Sequence, residues 1–320
     1  MTHKKNICVL GGTGFVGRQI VEQLAINGHK IKILSRHRER RRELLVLPNV
    51  EIHTADVHDR EVLKDHFSDQ DVVINLVGIL NEFGRNNFEK VHVELSRKVA
   101  DTCLKKQVPR LLHMSALKAN ANTGTSKYLR SKGQAENNVH STRDIQVTSF
   151  QPSVIFGPQD SFFNRFASLL AKTPPFLPFP LACASAKFAP IYVEDVAQVF
   201  LKSLDDKRTY GNHYTLCGPK NYTLLELVEF TSQITGLNRT ILPLGNILSK
   251  LQASLLGLMP TKPFTLDNYR STKIDSVCEQ ENSPIFELNL RSVESVVPLY
   301  LGKQSLHRRF SEIRRTSRRL

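Results

Sequence analysis

The chain has 320 residues, 40% apolar and 23% charged, the composition of a globular protein with a substantial core. That length suits one large domain or two intimate ones. The formal net charge is +14, and much of it is local. Lys303 to Leu320 carries Lys303 and six arginines against Glu312, and Arg36 to Glu43 holds five arginines and two glutamates. The five cysteines (Cys8, Cys103, Cys183, Cys217, Cys278) stand singly, with no Cys-x-x-Cys pair. This argues for a reducing compartment and against a disulfide framework or zinc ribbon, and no metal site is expected. The first strand is expected from about Asn6, which leaves no room for a cleavable leader. No apolar run reaches the roughly 18 to 20 residues that cross a bilayer, and Pro174, Pro175, Pro178 and Pro180 interrupt the apolar stretch Pro174 to Ala186. The expected setting is cytoplasmic, either in solution or peripheral on the inner membrane.

In chain order, β-branched runs alternate with helical patterns. Strands are expected at Ile7 to Leu10, Ile31 to Ser35, Val50 to Thr54, Val72 to Val77, Leu111 to Ser115 and Gln146 to Gln151. Several are apolar without alternation, as strands covered on both faces are. Helices are expected at Phe15 to Asn27, Arg60 to Phe67, Phe88 to Lys106 and Tyr128 to Ser141. The first carries Val16, Ile20, Val21 and Leu24 on one stripe and stops at Gly28. This rhythm reads as right-handed βαβ units in an α/β, doubly wound parallel sheet. After Pro152 it loosens. A helix near Phe162 to Ala171 precedes the prolines, Ile191 to Ala197 runs from strand to helix, and helices follow near Thr223 to Thr235, Asn246 to Leu256 and Val293 to Leu301. The expected organisation is a dinucleotide-binding domain over residues 1–215, interrupted near 160–188. A smaller, mostly helical lobe over 216–302 and a basic tail over 303–320 follow.

The first strand runs into Gly11-Gly12-Thr13-Gly14-Phe15-Val16-Gly17. Glycine at 11 permits the tight turn, at 14 the approach of a pyrophosphate, and at 17 close helix–strand packing. The helix start then offers unpaired N–H groups and a partial positive charge to phosphates. Strand before and helix after separate this pattern from an ordinary turn. At the end of the second strand, Arg36 stands where an acid would bind the ribose 2′-hydroxyl of NAD; arginine instead suits a 2′-phosphate, so NADP(H) is favoured over NAD(H). The alternative is that 36–42 is a solvated charged face. Asp56 and Val57 are expected at the adenine, and Asn75, Val77 and Gly78 on the ribose side.

Ser115 closes the fifth strand, and Tyr128 and Lys132 lie four apart on the next helix, hence on one face. The set fits carbonyl–alcohol interconversion. A tyrosine hydroxyl is a poor base near neutrality (ordinary pKa about 10), and an adjacent ammonium favours its phenolate. Ser115 would hold the substrate oxygen, and Tyr128 and Lys132 would also hold the nicotinamide ribose. A lone Tyr-x-x-x-Lys is also compatible with a helix face packed on the sheet.

GGTGFVG at 11–17, AD at 55–56, SA at 115–116, YLRSK at 128–132, QPSVIFGP at 151–158 and IYVEDVA at 191–197 resemble the short-chain dehydrogenase/reductase superfamily in its extended, epimerase-like branch, across roughly the first two-thirds of the chain. LLHMSALKAN (111–120), SKYLRSKGQAE (126–136), FFNRFASLL (162–170) and PTKPFTLDNYRSTKIDSV (260–277) are similar to the atypical group around the Rossmann accessory subunit of respiratory complex I and its bacterial relatives. The resemblance implies an NAD(P)-binding Rossmann fold, a tightly held NADPH with a structural rather than catalytic role, Pro152 beside the cofactor, and a link to quinone-based electron transfer or quinone biosynthesis. Two departures weaken a nucleotide-sugar epimerase or dehydratase reading. His92 replaces an asparagine, and Gln151-Pro152 replaces an Arg-Pro pair. His92 is expected to be a satisfied core histidine.

Three functions remain open: an NADP(H)-dependent oxidoreductase acting on a small apolar or quinone-like substrate, a non-catalytic accessory or assembly factor of a membrane respiratory complex, and the epimerase. In the tail, Phe310 and Ile313 share a helical face among arginines. That pattern suits a membrane surface or respiratory complex, or a solvated terminus. Nucleic acid is not an expected partner, because no stacking module is present. Asn246 to Met259 is apolar and is expected in the core.

Overall fold

The computed structural model describes residues 4–36, 43–260, 262–279 and 284–302. The basic tail expected over 303–320, and most of the arginine cluster after Arg36, lie outside the described residues.

The chain opens with β1 (Asn6–Leu10), α1 (Phe15–Ile26), β2 (Lys30–Ser35), β3 (Val50–Thr54), α2 (Arg60–Phe67) and β4 (Val72–Asn75). A π-helical turn (Glu89–Glu94) then leads into α3 (Leu95–Lys105), followed by β5 (Arg110–Met114), α4 (Lys127–His140) and β6 (Gln146–Pro152). A first excursion holds β7 (Ile155–Phe156), α5 (Phe163–Lys172), β8 (Phe179–Leu181), β9 (Lys187–Phe188) and β10 (Ile191–Tyr192). The chain returns through α6 (Val193–Lys202) and β11 (His213–Leu216). It leaves again through β12 (Tyr222–Thr223), α7 (Leu224–Ile234), β13 (Ile241–Pro243), α8 (Asn246–Gly257) and α9 (Leu266–Ser271), and α10 (Val293–Leu301) follows.

Two compact units result. One comprises the residues up to Pro152, Val193–Leu216 and the described part of 280–287; the other comprises Ser153–Tyr192, Cys217–Glu279 and 288–302. The first is a seven-stranded sheet ordered β11-β6-β5-β4-β1-β2-β3, every pair parallel. The order reverses between β1 and β4, which opens a crevice at the carboxyl ends of those strands. Ile7, Cys8, Val9 and Leu10 are fully buried, as a central strand covered on both faces requires. Cys8 and Leu10 face a core completed by Leu63 and Phe67 of α2, Val99 and Cys103 of α3 and Val139 of α4. On the other face, α1 and α6 pack against each other. Arg110 is buried at the opposite end of the sheet. It donates to the Gln146 and Ser203 carbonyls and to the hydroxyls of Thr148 and Thr209, and lies 4.4 Å from the centre of the Tyr210 ring.

In the second unit three two-stranded pairs, β10–β7, β12–β9 and β13–β8, carry the helices. Leu170, Leu181, Leu224 and Val228 form its core with Phe162, Phe166 and Phe179 around them. Asp160 fixes the start of α5, accepting from the amides of Gly157, Phe162 and Asn164 and from the Tyr300 hydroxyl. Two expectations fail here. Asn246 to Met259 is not core, since α8 buries only Ser249 and Ala253. The cysteines are not all single: Cys217 and Cys278 are joined in a disulfide. The fold brings them together because the Ala189 amide donates to the Ser276 carbonyl and the Ala189 carbonyl accepts from Gly218. Residues next to the two cysteines therefore flank one stretch of chain, which spacing in sequence does not reveal. The bridge closes a loop with a sequence separation of 61. Reduction, or Cys278→Ser, is expected to cost up to about 4 kcal/mol of stability by loop entropy, read as a lower denaturation midpoint than that of the oxidised protein.

Candidate functional site

The turn after β1 is built from close backbone contacts. Gly11 has φ +79°, a conformation that favours glycine, and a Cβ there would lie 3.2 Å from the Leu76 carbonyl carbon and 3.3 Å from the Val77 nitrogen. The Gly14 amide donates to the Gly11 carbonyl at 3.0 Å. A Cβ on Gly17 would collide with the Gly11 oxygen and sit 2.7 Å from the Gly12 Cα, so α1 approaches β1 as only glycine allows. At Gly14 the same atom would meet only the Gly11 oxygen, at 3.2 Å. No side chain caps α1 and no acid stands in its first turn, which leaves the amides around Phe15 and Val16 for an anion. This cradle fits the diphosphate of a dinucleotide.

At the end of β2, the Thr13 and Ser35 hydroxyls lie 3.4 Å apart and Arg36 is exposed. Burial lowers the pKa of His58; Asp56 opposes this, and Lys90, Lys98 and Arg36 add to it, which places Arg36 in a cationic neighbourhood. Asp56 is exposed, with its carboxylate accepting from the His58 amide, and Val57 belongs to the core, leaving its backbone for any ligand. Asn75 is buried and turned inward. Its oxygen accepts from the Val77 amide, and its nitrogen lies 3.4 Å from Nδ1 of His113. Pro152 is buried at the end of β6, its carbonyl accepting from Leu117.

Ser126 caps α4 by accepting from the Leu129 amide, which directs Tyr128 and Lys132 along one face. Lys132 donates to the Met114 carbonyl at 2.9 Å, and a Cβ on Gly78 would lie 3.1 Å from its Nζ. The predicted Gly78 and Lys132 are therefore neighbours. Burial lowers the Lys132 pKa to about 8 against the pull of Glu136, and burial raises that of Tyr128 to about 12. The Tyr128 ring packs edge-on against His92 and Phe88. The Ser115 hydroxyl donates to Glu136 at 2.5 Å.

Glu136 and His113, which the sequence did not single out, complete the site together with His92. Glu136 is buried one turn beyond Lys132 and also accepts from Gln151 at 2.7 Å and pairs with His213. Burial raises its pKa, but hydrogen bonds from His213, Ser115 and Gln151 outweigh this and the net shift is downward. Its position eight residues after Tyr128 was the available signal. His92 accepts from the Ile79 amide on Nε2. Its Nδ1 lies 2.8 Å from the Ser131 hydroxyl, which itself donates to the Tyr128 carbonyl. Nδ1 must then carry the proton, so His92 is neutral and satisfied. Burial, with Lys132 and His113 adding, lowers its pKa to about 2. His113 is buried, and its pKa is driven well below the ordinary value by burial and then by Lys132.

The NmrA-like family matches residues 3–296. The chain belongs to the NmrA-like family. It is 31% identical over 266 residues to mitochondrial NADH dehydrogenase (ubiquinone) 1 alpha subcomplex subunit 9 of Mus musculus, covering 80% of this chain and 68% of that one. The Dictyostelium discoideum protein of the same name is 31% identical over 296 residues, covering 89% and 79%. Thermus thermophilus UDP-glucose 4-epimerase, solved with NAD, shares the fold with a TM-score of 0.60 at 18% identity, covering 83% of this chain and 99% of that chain. The chain is thus an NmrA-like protein, similar to the complex I subunit and sharing the fold of an epimerase solved with NAD.

Two substitutions separate fold from binding. Gly17→Ala is expected to destabilise the protein by about 3 kcal/mol or more through overpacking. Gly14→Ala is expected to keep the melting temperature while weakening dinucleotide binding roughly tenfold or more; thermal melts with and without nucleotide read both. Acid is expected to destabilise the fold. Burial, followed by His213, lowers the His140 pKa to about 4. The unfolded chain therefore takes up a proton below about 6.5 that the folded chain refuses, and stability falls as pH drops from about 6.5 towards 4. His140→Gln should flatten that slope in melts followed against pH.

Proposed function

We propose that this chain holds a reduced nicotinamide dinucleotide, NADP(H) in preference to NAD(H), as an accessory or assembly factor of a membrane respiratory complex. The observation that carries this reading is a contrast within one site. The glycine cradle is intact, whereas Ser115, the group that would hold a substrate oxygen in a reductase, donates to Glu136 instead. The mitochondrial NADH dehydrogenase subunits among the relatives support the respiratory setting.

In this reading the amides at the start of α1 hold the diphosphate, and Arg36 meets the 2′-phosphate. Lys132, fixed by Met114 beside Gly78, holds the ribose on the nicotinamide side. Asn75, His92 and His113 shape the pocket floor as neutral groups, so Lys132 is its main cation.

A second reading, reduction of a small apolar or quinone-like substrate, is favoured by the buried Tyr128–Lys132 pair. NADPH would supply the hydride, and Tyr128 would deliver the proton to the substrate oxygen and recover it from solvent through Lys132. Gln151 is held by Glu136, and the epimerase reading is supported by the shared fold alone.

Denaturing the purified protein should release NADP(H), identified by mass, and NADPH added to the protein should not be oxidised by quinones. Arg36→Glu should reduce the preference for NADP(H) over NAD(H) by roughly tenfold to a hundredfold, the worth of a charge-assisted hydrogen bond. Steady oxidation of NADPH that Tyr128→Phe abolishes would instead establish the reductase.

A further inference from the structure

The second unit carries an apolar face that the dinucleotide site does not use. α8 is anchored on one side only. Ser249 accepts from the Cys183 amide and donates to the Leu244 carbonyl, Gln252 donates to the Pro180 carbonyl, and Ala253 is fully buried. The other side is bare. Ile247 is 85% exposed, Leu248 54%, Leu251 53% and Leu255 59%, and beyond the helix Leu258 is 85% and Met259 46% exposed. At about 100° per residue the four on α8 fall within an arc of about 100°, opposite Ser249 and Ala253. Leu242 on β13 adds to the face. Its partner in the register is Pro180 on β8, and the turn leading into β8 presents Phe176, which is 83% exposed, and Leu177.

The segments that carry this face are basic, with Asp267 on the neighbouring α9 the nearest acid in sequence. Neither 161–193 nor 231–266 contains an aspartate or glutamate, while Arg165, Lys172, Lys187, Arg239, Lys250 and Lys262 lie within them. Lys250 projects from α8 itself and Lys172 ends α5, both exposed. A cluster of exposed large apolar side chains on one helix face marks an interaction surface rather than the ordinary surface of a monomer. A twelve-residue helix is too short to span a bilayer. Leucines on one face, Lys250 beside them and no acid within α8 are the makings of a helix that lies in the plane of an anionic membrane surface.

We propose that α8 and the Phe176–Leu177 turn form a membrane-docking surface, seated in the headgroup region of an anionic bilayer. Leu251, Leu255 and Phe176 enter the acyl boundary, and Lys250 and Lys172 meet lipid phosphates. The surface lies on described residues distinct from the arginine-rich tail, and it holds whether or not the bound dinucleotide turns over.

The test is flotation of the full-length protein with phosphatidylcholine vesicles, with and without phosphatidylglycerol. The wild type should float with the mixed vesicles and much less with phosphatidylcholine alone. Leu251→Glu with Leu255→Glu should lower partitioning at least about tenfold, and Lys250→Glu should weaken it in a salt-dependent way. These side chains are exposed, so the variants should keep the wild-type melting temperature and bound nucleotide. That outcome separates loss of docking from any failure of the nucleotide reading. Removing 303–320 should leave flotation sensitive to Leu251→Glu. The proposal is overturned if the wild type ignores anionic vesicles, if its flotation depends on the tail alone, or if the face instead mediates a lipid-independent dimer that Leu251→Glu dissolves.

Discussion

The close approach of α1 to the end of β1 is the constraint on which the dinucleotide site depends. Gly17 rides over the backbone of Gly11 and Gly12, and Gly11 presses against Leu76 and Val77 where β4 ends. Both contacts are backbone to backbone, so no side chain can relieve them by moving. They bring the uncapped start of α1 to the point where the strand order reverses. They also fix the segment after β4, which the neutral His92 then holds through the Ile79 amide. From this follows the position of Lys132, which needs Gly78 to be bare. The cradle and the Tyr128–Lys132 face are thus one construction.

Most of the sheet was legible because its strands obey local rules. Val50–Thr54 and Arg60–Phe67 appear with the expected ends, since β-branched runs and an aspartate cap need no tertiary context. β4 stops at Asn75, two residues early, because the Asn75 side chain takes the Val77 amide. β11 went unread: His213–Leu216 is four residues long and joins the edge of the sheet by pairing with a strand more than sixty positions earlier. The candidate site was legible in its residue types but not in its bonding. Ser115 at a strand end and Lys132 four after Tyr128 are local facts. That Ser115 turns to Glu136 is set by Gln151 and His213, which arrive from other strands.

α8 shows the limit of reading polarity as burial. Its leucines form a regular stripe, the usual mark of a core-facing helix. Here the inward face is made of Ser249 and Ala253, small residues that let the helix lie close to the 180–183 segment. Which face of an amphipathic helix turns inward is decided by what it packs against, and for α8 that partner is remote in sequence.

The Cys217–Cys278 bond has a topological effect apart from energetics. The polypeptide between those cysteines, which includes α8, is a covalently closed ring. A protease that cuts once inside it opens the ring without freeing a fragment, and the nicked protein stays one molecule until a reductant acts. α8 is thereby tethered at both ends, and backbone damage within it does not by itself detach it from the rest of the chain.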